Sequence, residues 1–150
     1  EMKPVIKSMQ EWLKTCPLVA SAQDEGVAFR VSWLSPDVDE YSIEDVPTQP
    51  ILAKRLNGTI RQKVFALSSR EEYNSDVEHQ AERSGFWDDL TAWVEAQSRT
   101  KNLPALGDGR IPIGVAVTTT GYIITAEDGR CRAQIQLQIV YFQPKGVAIT

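Results

Sequence analysis

The chain has 150 residues, 42% of them hydrophobic and 24% charged, and a net charge of −4. This is the size and balance of one globular domain with room for a real core. No apolar run approaches the roughly 20 residues of a membrane-spanning helix, and a mildly acidic chain is a poor candidate for nucleic-acid binding, which favours a basic face.

The N-terminal residues lack a basic segment followed by an apolar one, so no signal peptide is expected. Cys16 and Cys131 lie far apart without a CxxC partner and read as small buried hydrophobes. The composition points to an intracellular protein, without separating a host cytoplasm from a virion.

Residues 4–15 read as a helix. Val5, Met9, Trp12, Leu13 and Cys16 recur at helical spacing, Pro4 suits the first turn, and Pro17 blocks continuation. Residues 20–26 read as a connection. Residues 27–34 alternate Val27, Phe29, Val31 and Trp33 against Ala28, Arg30 and Ser32, the mark of a strand. Residues 35–50 hold Pro36, Pro47 and Pro50 and five acids (Asp37, Asp39, Glu40, Glu44, Asp45) with no base. They read as an extended acidic arm or loop, in which Tyr41 and Ile43 make at most a short edge strand.

Residues 51–67 carry the opposite charge, through Lys54, Arg55, Arg61 and Lys63. A short strand over 51–56 and a tight Asn57-Gly58 turn lead to a strand over 59–67. Its end, Val64-Phe65-Ala66-Leu67, is apolar on both faces, as a central strand is. Residues 68–74 are polar.

A long helix is expected over 75–98, with Ser75 or Asp76 as N-cap and Glu78 close behind. Phe86, Leu90, Trp93, Val94 and Gln97 mark its buried face. Trp87 flanks that stripe and reads as a rim or interface aromatic, and Ser84-Gly85 is a weak point between the halves. Asn102-Leu103-Pro104 ends the helix and residues 107–109 turn the chain. A strand over 113–126, bulged at Gly121, then passes through a hairpin turn at 127–130 into residues 133–142. There Ala133, Ile135, Leu137, Ile139 and Tyr141 alternate with Gln134, Gln136 and Gln138. The first set belongs on a core, and the glutamine face is either wet or covered by another subunit. The sum is one α+β domain over 1–150, with a mainly antiparallel sheet covered by two helices, the N-terminal one and the long central one.

Little in the sequence carries chemistry. His79, the single histidine, sits between Glu78 and Gln80 on the polar half of the long helix and reads as solvated. A triad needs a base, for which His79 is the only histidine, and neither Cys16 nor any serine stands in a nucleophile-elbow sequence. Two cysteines and one histidine do not make a zinc site. Glu71-Glu72 and Asp88-Asp89 are carboxylate pairs that read as solvated charge. Gly107-x-Gly109 lacks the rest of a phosphate-binding fingerprint, and Asn57-Gly58-Thr59 is a glycosylation acceptor that is idle without secretion. Trp12, Trp33 and Trp93 lie on elements that need a core face. No catalytic residue, metal ligand or cofactor is expected.

The run LNGTIRQKVFAL from Leu56, then Tyr73 and acidic residues, FWDDLTAWV, NLPAL and the strand AQIQLQIVYF resembles the phage "minor capsid" family of tail-terminator proteins of long-tailed bacteriophages. The opening helix and the 27–34 strand fit the same pattern, while the acidic stretch 37–45 aligns to nothing in it. The resemblance implies a small α+β subunit without catalytic residues or cofactor. It also implies assembly, commonly as a hexameric ring, that caps the tail tube in the virion and helps join it to the head, with tail-tube and connector proteins as partners. Neither a membrane nor sequence-specific nucleic acid is implied.

In a head-to-tail ring two different patches must complement each other. Candidates are Asp37, Asp39, Glu40, Glu44 and Asp45 against Lys54, Arg55, Arg61 and Lys63, with Gln134, Gln136 and Gln138 as an uncharged face. The competing reading is that these charges are solvated or pair within one chain. Two other functions fit the same composition: a small α+β enzyme or ligand-binding domain with acids and tyrosines in a pocket, and an acidic adaptor or chaperone.

Overall fold

A computed structural model describes residues 3–24, 28–31, 40–72, 77–127 and 130–146, with side chains over 3–20, 41–69, 85–119 and 133–146. In chain order the elements are α1 (Val5–Leu13), α2 (Pro17–Asp24), β1 (Ala28–Val31), β2 (Glu40–Val46), β3 (Ile51–Arg55), β4 (Gly58–Glu72), α3 (Val77–Arg99), β5 (Ile111–Glu127) and β6 (Arg130–Pro144). The six strands form one sheet in the order β1-β2-β4-β6-β5, with β3 also paired to β4. Every pairing is antiparallel except β1 with β2. The fold is α+β, as the alternation of strand and helix signals implied.

Strand β6 lies inside the sheet and shows why the fold closes as it does. Its odd residues from Ala133 to Tyr141 are all buried, whereas Gln134, Gln136 and Gln138 are half-buried. On β4 the facing positions Phe65 and Leu67 stand in register with Leu137 and Ile135. These side chains share one cluster with Met9, Trp12 and Leu13 of α1 and Leu90 and Val94 of α3, and Trp93 packs against it half-buried. Trp12 and Trp93 meet with ring centroids 4.9 Å apart, and the Trp12 indole N–H donates to the carbonyl of Asn102 at 2.9 Å, so a buried polar tip is satisfied. The described helices cover one face of the sheet. The glutamines lie on the other.

Several local expectations change. Pro17 does end α1, but it also starts α2 over residues read as a connection, because proline suits a first helical position. Three helices are therefore described, not two. The acidic segment is not a loop throughout: residues 40–46 form β2, which is internal, paired with β1 on one side and β4 on the other. Ile43 is fully buried there and Tyr41 nearly so, so the apolar alternation outweighed charge and proline. Residues 32–39 lie outside the description.

The β3–β4 loop is Leu56-Asn57, one residue earlier than expected, since Arg55 pairs with Gly58. Gly58 is needed for close approach: a Cβ there would collide with the Gln143 carbonyl oxygen and lie 2.5 Å from the Phe142 ring. Strand β4 runs on through the polar residues 68–72, where Ser68 and Ser69 are both buried. Trp87 is 5% exposed and belongs to the core cluster; its ring stacks on Phe86 at 5.1 Å. It is not a rim residue, because the buried arc of α3 is wide enough to take in both neighbours. Cys16 is fully buried, and burial pushes its thiol pKa up. The side chains of Cys131 and His79 lie outside the description. Strand β5 shifts register four times against β6, once between Thr119 and Tyr122, around Gly121.

Candidate assembly interface

Gly58, Thr59 and Ile60 of β4 face Pro144, Gln143 and Phe142 of β6. No acid occurs between Asp45 and Glu71, nor after Asp128, so pairing β4 with β6 brings two acid-free stretches to one end of the sheet. Lys54, Arg55, Arg61 and Lys145 gather there around a cleft of about 290 Å³ that contains no acidic residue in its lining. Lys54 and Arg55 are exposed, with Arg55 donating only to the Lys54 carbonyl at 3.2 Å. Arg61 is half-buried and donates to the Thr59 hydroxyl at 2.9 Å.

The acidic half of the expected pair is less available. Asp37 and Asp39 lie outside the described residues. Glu40 opens β2 in register with Arg70, and its side chain is not described. Glu44 already has a partner within the chain. Asp45 lies 3.9 Å from the Lys63 ammonium, both side chains being about half exposed. Such a pair contributes little to stability, but it shows these two charges meeting within one chain. A second cleft, of about 310 Å³, opens beside them, with Asp45, Lys63, Arg61 and Tyr141 in its wall. Burial raises the Tyr141 hydroxyl pKa, opposed by the positive charges of Arg61 and Arg110.

The glutamine face forms a cross-strand polar network. The Gln138 amide donates to Gln62 at 2.6 Å, and Gln62 in turn donates to the Gln49 carbonyl at 2.8 Å. The Ser68 hydroxyl donates to Gln134 at 3.3 Å, while the Gln136 backbone N–H is taken by Thr119 at 2.9 Å. Towards the hairpin end the same face turns apolar, with Ala53, Ile60, Phe142 and Ile111 in one cross-strand row. Leu52, Leu56, Ile111 and Ile113 are the exposed large hydrophobic side chains among the described residues, and all lie at this end; Leu56 at the tip is 97% exposed.

Sequence reasoning missed Leu56, Lys145 and Arg110. The acid-free C-terminal stretch was the available signal for Lys145. Arg110 is a buried brace: its guanidinium donates to the carbonyls of Lys3 at 2.5 Å and Leu106 at 2.6 Å and sits 3.6 Å from Asp108. The turn before it has Gly107, Asp108 and Gly109 all at positive φ, a run that glycine and aspartate tolerate best. Among the described residues no group of three His, Cys, Asp or Glu side chains is arranged to hold a metal ion, and no described helix is long and apolar enough to cross a membrane.

The chain is thus an α+β domain whose sheet is backed on one face by the described helices and carries the glutamines on the other. That fold is similar to a chain in the virion of a native gene transfer agent (GTA) particle: TM-score 0.56 and 12% sequence identity, over 89% of this chain and 90% of that one. No protein family and no curated protein matches the sequence.

Proposed function

We propose that this chain is a structural protein of a phage-type virion, without catalytic activity or cofactor, that assembles with its own copies as a tail terminator does. In this reading a ring, hexameric in the tail-terminator pattern, caps the tail tube, contributes to the head–tail junction and contacts tail-tube and connector proteins. The observation that carries the proposal is the near end-to-end likeness of the fold to a virion chain. The residue pattern from Leu56 to Phe142 supports it independently.

The surface chemistry supports the same reading. The two clefts contain a single carboxylate between them, Asp45, and it faces Lys63, so neither offers a convergent acid pair for hydrolysis. Among the described residues, one sheet face carries half-buried uncharged polar groups, and one end of the sheet mixes cations with exposed large apolar side chains, a composition suited to protein contacts.

The test is polymerisation of purified tail-tube protein with and without this chain. A terminator in substoichiometric amount gives short, uniform tubes that no longer elongate. Unchanged tube lengths at every ratio would remove the tail-capping role.

A further inference from the structure

We infer that the β3–β4 hairpin end of the sheet docks on the solvent face of α3 in a second copy of this chain. This rests on the self-assembly reading above and names the surfaces that would carry it. The docking end is both basic and apolar: Lys54, Arg55 and Lys145 surround the exposed Leu56, with Ile111 and Ile113 further along the same end. Cations beside large exposed aliphatic side chains call for a partner with carboxylates and some apolar surface.

The chain carries such a surface itself. Asp88, Asp89, Ala92 and Glu95 are exposed on α3, with 88, 92 and 95 at the spacing of one helical face; the helix carries Arg83 before this acidic run and Arg99 after it. Among the described residues these three acids have no ion pair. The acids nearer the hairpin, Glu44 and Asp45, are engaged within the chain. Of the acids whose side chains are described, those on α3 are the ones left to partner the basic end, since Glu11, Glu44, Asp45 and Asp108 are engaged within the chain.

The two patches are different surfaces, so a contact that uses each once per partner is head-to-tail and can close into a ring. Duplex DNA would satisfy the cations but would give Leu56, Leu52 and the two isoleucines nothing apolar to bury against, which favours a protein partner. Exposed charge pairs are screened by salt, so the association weakens as ionic strength rises.

The experiment uses two charge-reversed proteins: Lys54→Glu with Arg55→Glu, and Asp88→Lys with Asp89→Lys. Sedimentation measures self-association of each, and of their mixture, at low and high salt; circular dichroism checks the fold. Each variant alone associates about tenfold or more weakly than the parent, and mixing them restores association, because every contact in an alternating assembly is again complementary. Leu56→Ser, at a tip with nothing to unpack, weakens association without any charge change and serves if a reversed variant misfolds.

Variants that associate as well as the parent, a mixture that restores nothing, or a parent that is monomeric at every concentration would overturn the inference. So would hairpin variants that lose duplex-DNA retention while still associating. Tube-length control persisting in the reversed variants would show that the capping reading stands while this contact does not.

Discussion

Leu137→Ala tests the placement of the sheet most sharply. Leu137 is fully buried, in register with Phe65 of β4 and Val117 of β5, so neighbours on both sides are fixed by backbone pairing and cannot collapse far. Removing three carbons costs about 2.4 kcal/mol in transfer alone, at about 0.8 kcal/mol each. The cavity left between rigid strands raises this to roughly 3–4 kcal/mol. Gln138→Ala, one residue on and on the opposite face, loses one hydrogen bond to Gln62 and costs about 0.5–1.5 kcal/mol. Urea unfolding followed by tryptophan fluorescence reads both, at a concentration where the protein is monomeric so that mass action does not enter. The midpoint should fall with an unchanged slope. A loss below about 0.5 kcal/mol for Leu137→Ala, or one smaller than that of Gln138→Ala, would refute the face assignment.

Gly58→Ala forces a Cβ onto the Gln143 carbonyl and the Phe142 ring and should destabilise by about 1–3 kcal/mol, read in the same urea titration. Arg110→Ala removes the donor to the Lys3 and Leu106 carbonyls; a loss of about 2–4 kcal/mol is expected, together with faster proteolysis near the N-terminal residues. Cys16 has a thiol pKa raised by burial, so the folded state favours the neutral thiol. Its contribution to stability is complete below the ordinary thiol pKa and is lost as pH rises through the raised value. In a Cys131→Ser protein, thiol labelling at neutral pH should proceed only at the rate of unfolding, and rapid labelling of the native protein would contradict the burial.

Period-two alternation was enough to assign β6 to a face, and the doubly apolar run at Val64–Leu67 was enough to make β4 central. Both signals survive because burial of a whole strand face outweighs local detail. What was illegible depended on neighbours far away in sequence. Glu44 and Asp45 disguised β2 as a loop, although Tyr41 and Ile43 face the core, because nothing local reveals β1 and β4 on either side. Pro17 is a stop signal for α1 and also the start of α2. Ser68 and Ser69 look like loop residues until β4 is seen to continue between two partners.

The basic end of the sheet was half legible. Lys54, Arg55 and Arg61 do share one end of the sheet with Lys145, but Lys63 turns to Asp45. The exposure of Leu56 depends on where the hairpin loop falls, and a one-residue difference in that loop moves it from strand to tip.

The central claim is assembly, and electron microscopy of the purified protein, alone and mixed with tail tubes, tests it most directly. The account predicts closed rings of a single symmetry seated on tube ends. Particles that stay single in both samples, with bare tube ends, would contradict it.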